Sequence, residues 1–234
     1  MTIKQEFGRL LDPRIRAAAK SLYDEIRVLR NHRRGVRRVL KLQAERTLRI
    51  QFGCGPARKP GWLNTDMWAG PWARPDVCLD ASRPLPFRSN SVAEIYSEHM
   101  FEHLEYPSGV TTFLRECFRV LASGATMTIG VPDLSDALQK YAQRTPPVSE
   151  GAADRRYILR HPLEELNYIF HQDGEHKFLY DEEFLTVLLQ HFGFNPVSRR
   201  DFDPSHDTEL RCEGTLYIVA TKPAPAGAPI GSVA

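Results

Sequence analysis

The chain has 234 residues, 42% of them apolar and 26% charged, with a formal net charge of +2. That length suits one domain of ordinary size with an extension, and that composition sets aside the disordered and fibrous classes. No apolar run approaches the ~20 residues of a membrane span. The N-terminus, charged from Lys4 onward, lacks the apolar core of a signal peptide, so a cytoplasmic location is expected.

Residues 1–46 hold 13 Lys/Arg against 5 Asp/Glu, so a basic arm precedes a body that is acidic overall. Within it, residues 13–46 read as helix: Pro13 after Asp12 fits a first helical turn, and Ile15, Ala18, Ala19, Leu22, Ile26 and Leu29 recur at helical spacing. A break is expected at Gly35 before Val36, Val39 and Leu40 resume the stripe. Residues 47–52 read as a strand ending in Gly53-Cys54-Gly55-Pro56, residues 61–66 as a second ending in Asp66, and residues 76–80 as a third ending in Asp80. A fourth strand over 93–97, an amphipathic helix over 107–121 and a fifth strand over 124–131 follow. This rhythm predicts a mostly parallel sheet covered on both faces.

Only Pro56 to Pro60 separates the glycine turn from the second strand, too few residues for a helical crossover. Parallel strands joined by an extended loop are expected, with the N-terminal helix covering the gap. Residues 133–180 are polar, carry Pro146-Pro147 and hold His161, His171 and His176; so long a connection predicts a lid. A helix over 181–192 ends at Gly193, strands at 197–202 and 215–221 close the sheet with the last one antiparallel, and the Pro- and Ala-rich tail is expected to be disordered. The division expected is an extension over 1–46, a domain over 47–222 and a tail over 223–234. Cys54, Cys78, Cys117 and Cys212 form no C-x-x-C pair, which predicts neither a zinc ribbon nor a disulfide scaffold.

Three successive strands ending in Gly-x-Gly, Asp66 and Asp80 describe a nucleoside cradle along one sheet edge. The short crossover and the lack of a third glycine argue against a dinucleotide oxidoreductase. Phe52-Gly-Cys-Gly-Pro, Pro60-Gly-Trp-Leu-Asn-Thr-Asp66, Asp80-Ala-Ser-Arg-Pro-Leu-Pro-Phe87 and Ser97-Glu-His-Met-Phe-Glu-His-Leu104 resemble class I S-adenosylmethionine-dependent methyltransferases. They are most similar to the small type 11-like group linked to glycan and secondary-metabolite pathways. Arg115 to Gly124 and His176 to Asp181 continue the likeness, which spans roughly residues 47–222. The resemblance implies a Rossmann-like α/β fold with an N-terminal helical extension and a helical lid. It also implies S-adenosylmethionine as cofactor, with Gly53 and Gly55 along the methionine moiety, Asp66 at the ribose and Asp80 at the adenine. Phe52, Cys54, Ala81 and Ser97 complete the expected cofactor contacts.

His99-Met-Phe-Glu102-His103 spells H-x-x-E-H, a zinc-peptidase pattern. Its place directly after a sheet strand in a nucleoside-binding frame argues against a peptidase. The segment resembles the E-x-x-E-H motif with which ubiquinone-pathway and small-RNA 3′-end methyltransferases hold a divalent metal, with His99 in place of the first Glu. That likeness implies His176 as a fourth ligand, and the replacement favours a softer ion than Mg²⁺. Acid–base or substrate contact by His99, Glu102, His103 and His176, and simple bracing of the helix start, stand beside the metal. Asp133 and Tyr180 are second-rank candidates.

The expected chemistry is direct displacement of the sulfonium methyl by an oxygen or nitrogen of a small-molecule or glycan acceptor. RNA methylation through the basic arm, or a cofactor-binding module without turnover, are the alternatives. Arg27, Arg30, Arg33, Arg34, Arg37, Arg38 and Lys41 carry no interleaved aromatics. A solvated helix face, or one docking onto the acidic body or onto a second copy in a homodimer, is therefore favoured over nucleic acid.

Overall fold

The computed structural model describes residues 12–42, 48–146 and 158–225. Helix α1 (Pro13–Leu42) is continuous. It starts where the Asp12 carboxylate accepts the Arg14 amide at 2.7 Å. The expected break at Gly35 does not occur, because this glycine serves packing and not termination. A Cβ there would lie 2.0 Å from the Cys78 carbonyl oxygen, so only glycine lets the helix backbone rest on the sheet edge. Residues 43–46, also expected to be helical, lie outside the described residues.

The strands are β1 (Leu48–Phe52), β2 (Leu63–Asp66), β3 (Val77–Cys78), β4 (Val92–Glu98), β5 (Leu121–Pro132), β6 (Val197–Arg200) and β7 (Thr215–Thr221). They form one sheet of order β3-β2-β1-β4-β5-β7-β6. β7 alone runs antiparallel to its neighbours, β5 and β6. The sheet is thus Rossmann-like, mostly parallel with the last strand reversed. Five strands differ from their expected bounds, β2 starting at Leu63 and β4 spanning Val92–Glu98. β3 keeps only two residues, since the Asp76 carboxylate turns to the Asn64 amide at 2.9 Å and Asp80 lies in the turn beyond. β5 starts at Leu121, directly at the end of the preceding helix, because Leu121 already pairs with Val92. β6 stops at Arg200, short of the expected residue 202.

β1 and β2 pair in parallel from Ile50 opposite Leu63, with a loop and no helix between them. Two buried amides on the face a crossover helix would cover hold that loop. Gln51 donates to the Ala57 carbonyl at 2.9 Å, and its oxygen and that of Asn64 accept the Lys59 amide at 3.1 and 2.7 Å. Helix α2 (Ser108–Val120) fills the connection from β4 to β5. It buries Phe113, Leu114 and Cys117 against the sheet, with Phe113 meeting the Phe52 ring edge-on at 5.2 Å. Each such large apolar side chain contributes about 1.5–3 kcal/mol when fully buried.

Beyond β5 come α3 (Leu134–Ala142), α4 (Pro162–His171) and α5 (Glu182–His191). The segment expected as a lid thus carries α3 and α4 among its described residues, and residues 147–157 lie outside them, as do residues 226–234 of the tail. All four cysteines are free.

Candidate active site

The carboxyl ends of β1, β2 and β4 meet around the glycine turn. Gly53 and Gly55 both have positive φ, +66° and +47°. Their surroundings differ. A Cβ on Gly53 would lie 2.5 Å from the Met100 Cβ, whereas one on Gly55 would meet nothing within 4 Å. Gly53 therefore admits the segment after β4, and Gly55 borders open space. Asp66 ties the turn to β2, its carboxylate accepting the amides of Gly55 at 3.0 Å and Trp68 at 3.1 Å. The Cys54 amide donates to the Thr65 carbonyl at 3.0 Å, and its buried thiol is raised well above its ordinary value by desolvation.

The Asp80 carboxylate accepts from the Ser82 amide at 2.9 Å, the Ser82 hydroxyl at 2.6 Å and Arg83 at 2.8 Å. Its own amide donates to His32 Nδ1 of α1 at 3.1 Å. The N-terminal helix thereby seals the edge at β3. Ala81 is half-buried in the same turn. Phe52 directs its ring into the core, while the Ser97 hydroxyl is buried without a hydrogen-bond partner.

The residues after β4 form a second cluster. His99 has a φ of +50°, unusual for a residue with a side chain. Two contacts hold it: its amide donates to the Gly130 carbonyl at 2.8 Å, and its Nε2 lies 2.9 Å from the Thr215 hydroxyl. A 3-10 turn (Phe101–His103) follows. The chain then returns from the lid, with the amides of Lys177 and Phe178 donating to the Glu102 carbonyl at 2.8 and 3.3 Å. That pairing brings His176 over the turn. Glu102 Oε1 lies 3.5 Å from His99 Nδ1 and 3.9 Å from Nε2 of both His103 and His176. The His103 and His176 rings meet edge-on, centroids 4.9 Å apart.

Glu102 is fully buried, and desolvation pushes its carboxyl up to about 8. Burial, with Arg211 nearby, drives His99 down to about 3, and burial beside His176 lowers His103. Both Glu102 oxygens, His176 Nε2 and the Tyr180 hydroxyl are buried without hydrogen-bond partners. Native proteins rarely leave such groups unsatisfied. Glu102, His103 and His176 present ligand atoms that all lie within 4.8 Å of one another.

The other lid histidines point elsewhere. His161 caps α4, its Nδ1 accepting the Leu163 amide at 3.1 Å, and His171 is exposed. Asp133 caps α3 through the Ser135 and Asp136 amides. Sequence reasoning missed Thr215, which holds His99, and Glu98. Glu98 is buried, with its carboxylate on the Tyr217 hydroxyl at 2.7 Å and on Thr208, and Arg211 donates to its carbonyl at 3.0 Å. The period-2 alternation of Tyr96 and Glu98 along β4 was the available signal. A groove of about 640 Å³ lined by Arg38, Arg58, Lys59, Trp62, Asn64 and Asp76 lies at the opposite, amino edge. It includes none of the titratable cluster.

Residues 50–129 match a family model described as a methyltransferase domain. No curated protein matches the chain. Among solved structures, a SAM-dependent methyltransferase from Archaeoglobus fulgidus is 16% identical, with a TM-score of 0.47, covering 87% of this chain and 99% of that one. Phosphoethanolamine N-methyltransferase 2 of Haemonchus contortus, solved with S-adenosyl-L-methionine, is 10% identical with a TM-score of 0.44, covering 81% of this chain and 52% of that one. The family match begins in β1, passes through the glycine turn and Asp66, and ends in β5. Residues 50–129, on a sheet of this order, are thus similar to a methyltransferase domain.

Proposed function

We propose that the protein is a class I S-adenosylmethionine-dependent methyltransferase that holds its cofactor along the carboxyl ends of β1, β2 and β3. It would pass the methyl group to an oxygen or nitrogen of a small-molecule or glycan acceptor entering beside Glu102, His103 and His176. The open space at Gly55 suits the methionine moiety. Each Asp66 oxygen accepts one amide, and a carboxylate offers about four acceptor positions, so two remain for the ribose hydroxyls. Asp80 has one position left for the adenine amino group after its three contacts. Phe52, Cys54 and Ala81 would contribute backbone, and Ser97 its unpaired hydroxyl.

The observation that carries the acceptor side is the convergence of partnerless buried atoms on Glu102, His176 and Tyr180. A polar acceptor group seated there would complete them. The acceptor lone pair attacks the methyl carbon, the carbon–sulfur bond breaks towards sulfur, and S-adenosylhomocysteine leaves. A hydroxyl acceptor's proton goes to the imidazole of His103 or His176. Positioning supplies much of the rate, since well-oriented reactants gain about 7–11 kcal/mol over free encounter.

His103→Ala and His176→Ala test this with labelled S-adenosylmethionine and a mixed extract of glycans and small metabolites. Both variants should bind S-adenosylhomocysteine like the parent and lose methyl transfer. Unchanged transfer in both would refute the assignment.

The two-histidine, one-carboxylate set favours a second reading, in which Glu102, His103 and His176 hold a divalent transition metal. Such an ion would supply Lewis-acid polarisation of the acceptor oxygen. Activity lost to a chelator and restored by a divalent ion selects it. A cytoplasmic location, and the division into an extension (1–46), a catalytic domain (47–222, with its lid at 133–180) and a tail, belong to the same proposal. No described helix is long and apolar enough to cross a membrane.

A further inference from the structure

Helix α1 is apolar on two sides. Val28, His32, Gly35 and Val39 are buried against the body. Ile15, Leu22 and Ile26 form a second line, about a third of a turn away at 100° per residue, and are 55%, 63% and 58% exposed. The direction of the helix follows from its contacts. Arg38 lines the groove at the start of β3, Gly35 lies on Cys78, His32 reaches Asp80, and the Arg27 guanidinium stacks on the Trp68 ring at 4.6 Å. The turns before Arg27 therefore continue past the carboxyl edge, by about 20 Å at 1.5 Å per residue.

Charge says what covers this stripe. α1 carries ten Lys/Arg and two Asp/Glu. At 100° per residue, Arg30, Arg33 and Arg37 lie within about 60° of the line of Ile15, Leu22 and Ile26, whereas Asp24 lies opposite it. A second copy would bring the same cations into contact with these, whereas an anionic surface complements them. An apolar line bordered by long cationic side chains fits the headgroup boundary of a bilayer, with the stems lying along apolar surface and the charges in the headgroups.

We propose that the exposed face of α1 seats the enzyme on an anionic lipid surface. The catalytic edge is then presented to acceptors at that surface. This inference stands apart from the assignment of the methyl-transfer residues, and its readout is lipid binding.

The test is co-sedimentation of the full chain with vesicles of 30% phosphatidylglycerol in phosphatidylcholine, against vesicles of phosphatidylcholine alone. Binding is expected to the anionic vesicles only and to weaken in high salt. It should fall at least about tenfold in the double variant Leu22→Asp, Ile26→Asp. Both changes sit on exposed positions, and calorimetry with S-adenosylhomocysteine verifies that the variant is folded. No sedimentation with anionic vesicles, or equal sedimentation of parent and variant, overturns the proposal. A lipid-free dimer that the same variant converts to a monomer would overturn it too, and assign the stripe to a second copy.

Discussion

Replacing Glu102 by Gln removes a proton site that folding shifts strongly. Burial raises this carboxyl from 4.5 to about 8, so above pH 4.5 the folded protein keeps a proton that the unfolded chain releases. The stability this contributes is complete below 4.5 and is lost as pH rises through 8. His99 acts in the opposite sense. Its fall from 6.5 to about 3 leaves it neutral when folded while the unfolded chain takes up a proton. That contribution is complete above 6.5 and is lost as pH falls towards 3. The two slopes offset each other between 4.5 and 6.5, and above 6.5 Glu102 acts alone. At 1.36 kcal/mol per pH unit, the parent should lose about 2 kcal/mol between pH 6.5 and 8. Glu102→Gln, which cannot ionise, should lose almost none. Urea unfolding of chelator-treated protein at pH 6.5, 7.25 and 8 measures this, with equal m-values ensuring that the same transition is compared. Parallel pH profiles for parent and variant would refute the reasoning, and would mean that Glu102 is ionised in the native protein.

Gly53→Ala should disturb both halves of the site, since its Cβ would meet Met100 at 2.5 Å; weaker S-adenosylhomocysteine binding together with a lower melting temperature checks it. Asp66→Ala removes the acceptor of the Gly55 and Trp68 amides; calorimetry should show cofactor affinity falling about tenfold or more, at about 1–3 kcal/mol per lost buried partner. Gly35→Ala places a Cβ 2.0 Å from the Cys78 carbonyl; displacement of α1 should cost about 1–3 kcal/mol in thermal unfolding and leave α2 and the β4–β5 pairing intact.

The succession of strands along the chain was legible because each strand is short, apolar and punctuated by glycine, proline or an acid. Even the helix-free link from β1 to β2 follows from the five residues Pro56 to Pro60. Gly35 misled because glycine within a helical pattern signals termination as readily as close packing, and only the backbone of Cys78, 43 positions away, distinguishes the two. The start of β5 was hidden because Leu121 continues the helical stripe of Phe113, Leu114 and Cys117 while pairing with Val92. Within the cluster, the proximity of Glu102 to His103 is local. The return of His176 depends on Lys177 and Phe178 pairing with the Glu102 carbonyl across a 75-residue separation. The contacts of Glu98 with Thr208 and Tyr217 span 110 and 119 residues, beyond what local periodicity reports.

Titration calorimetry of the purified chain with S-adenosylhomocysteine tests most directly whether the cofactor lies along Gly55 and Asp66. Binding at one site per chain is predicted, reduced strongly in Asp66→Ala and in Gly55→Val, whose side chain would occupy the open space beside the turn. No heat of binding from folded protein, or equal binding by the parent and both variants, would contradict it.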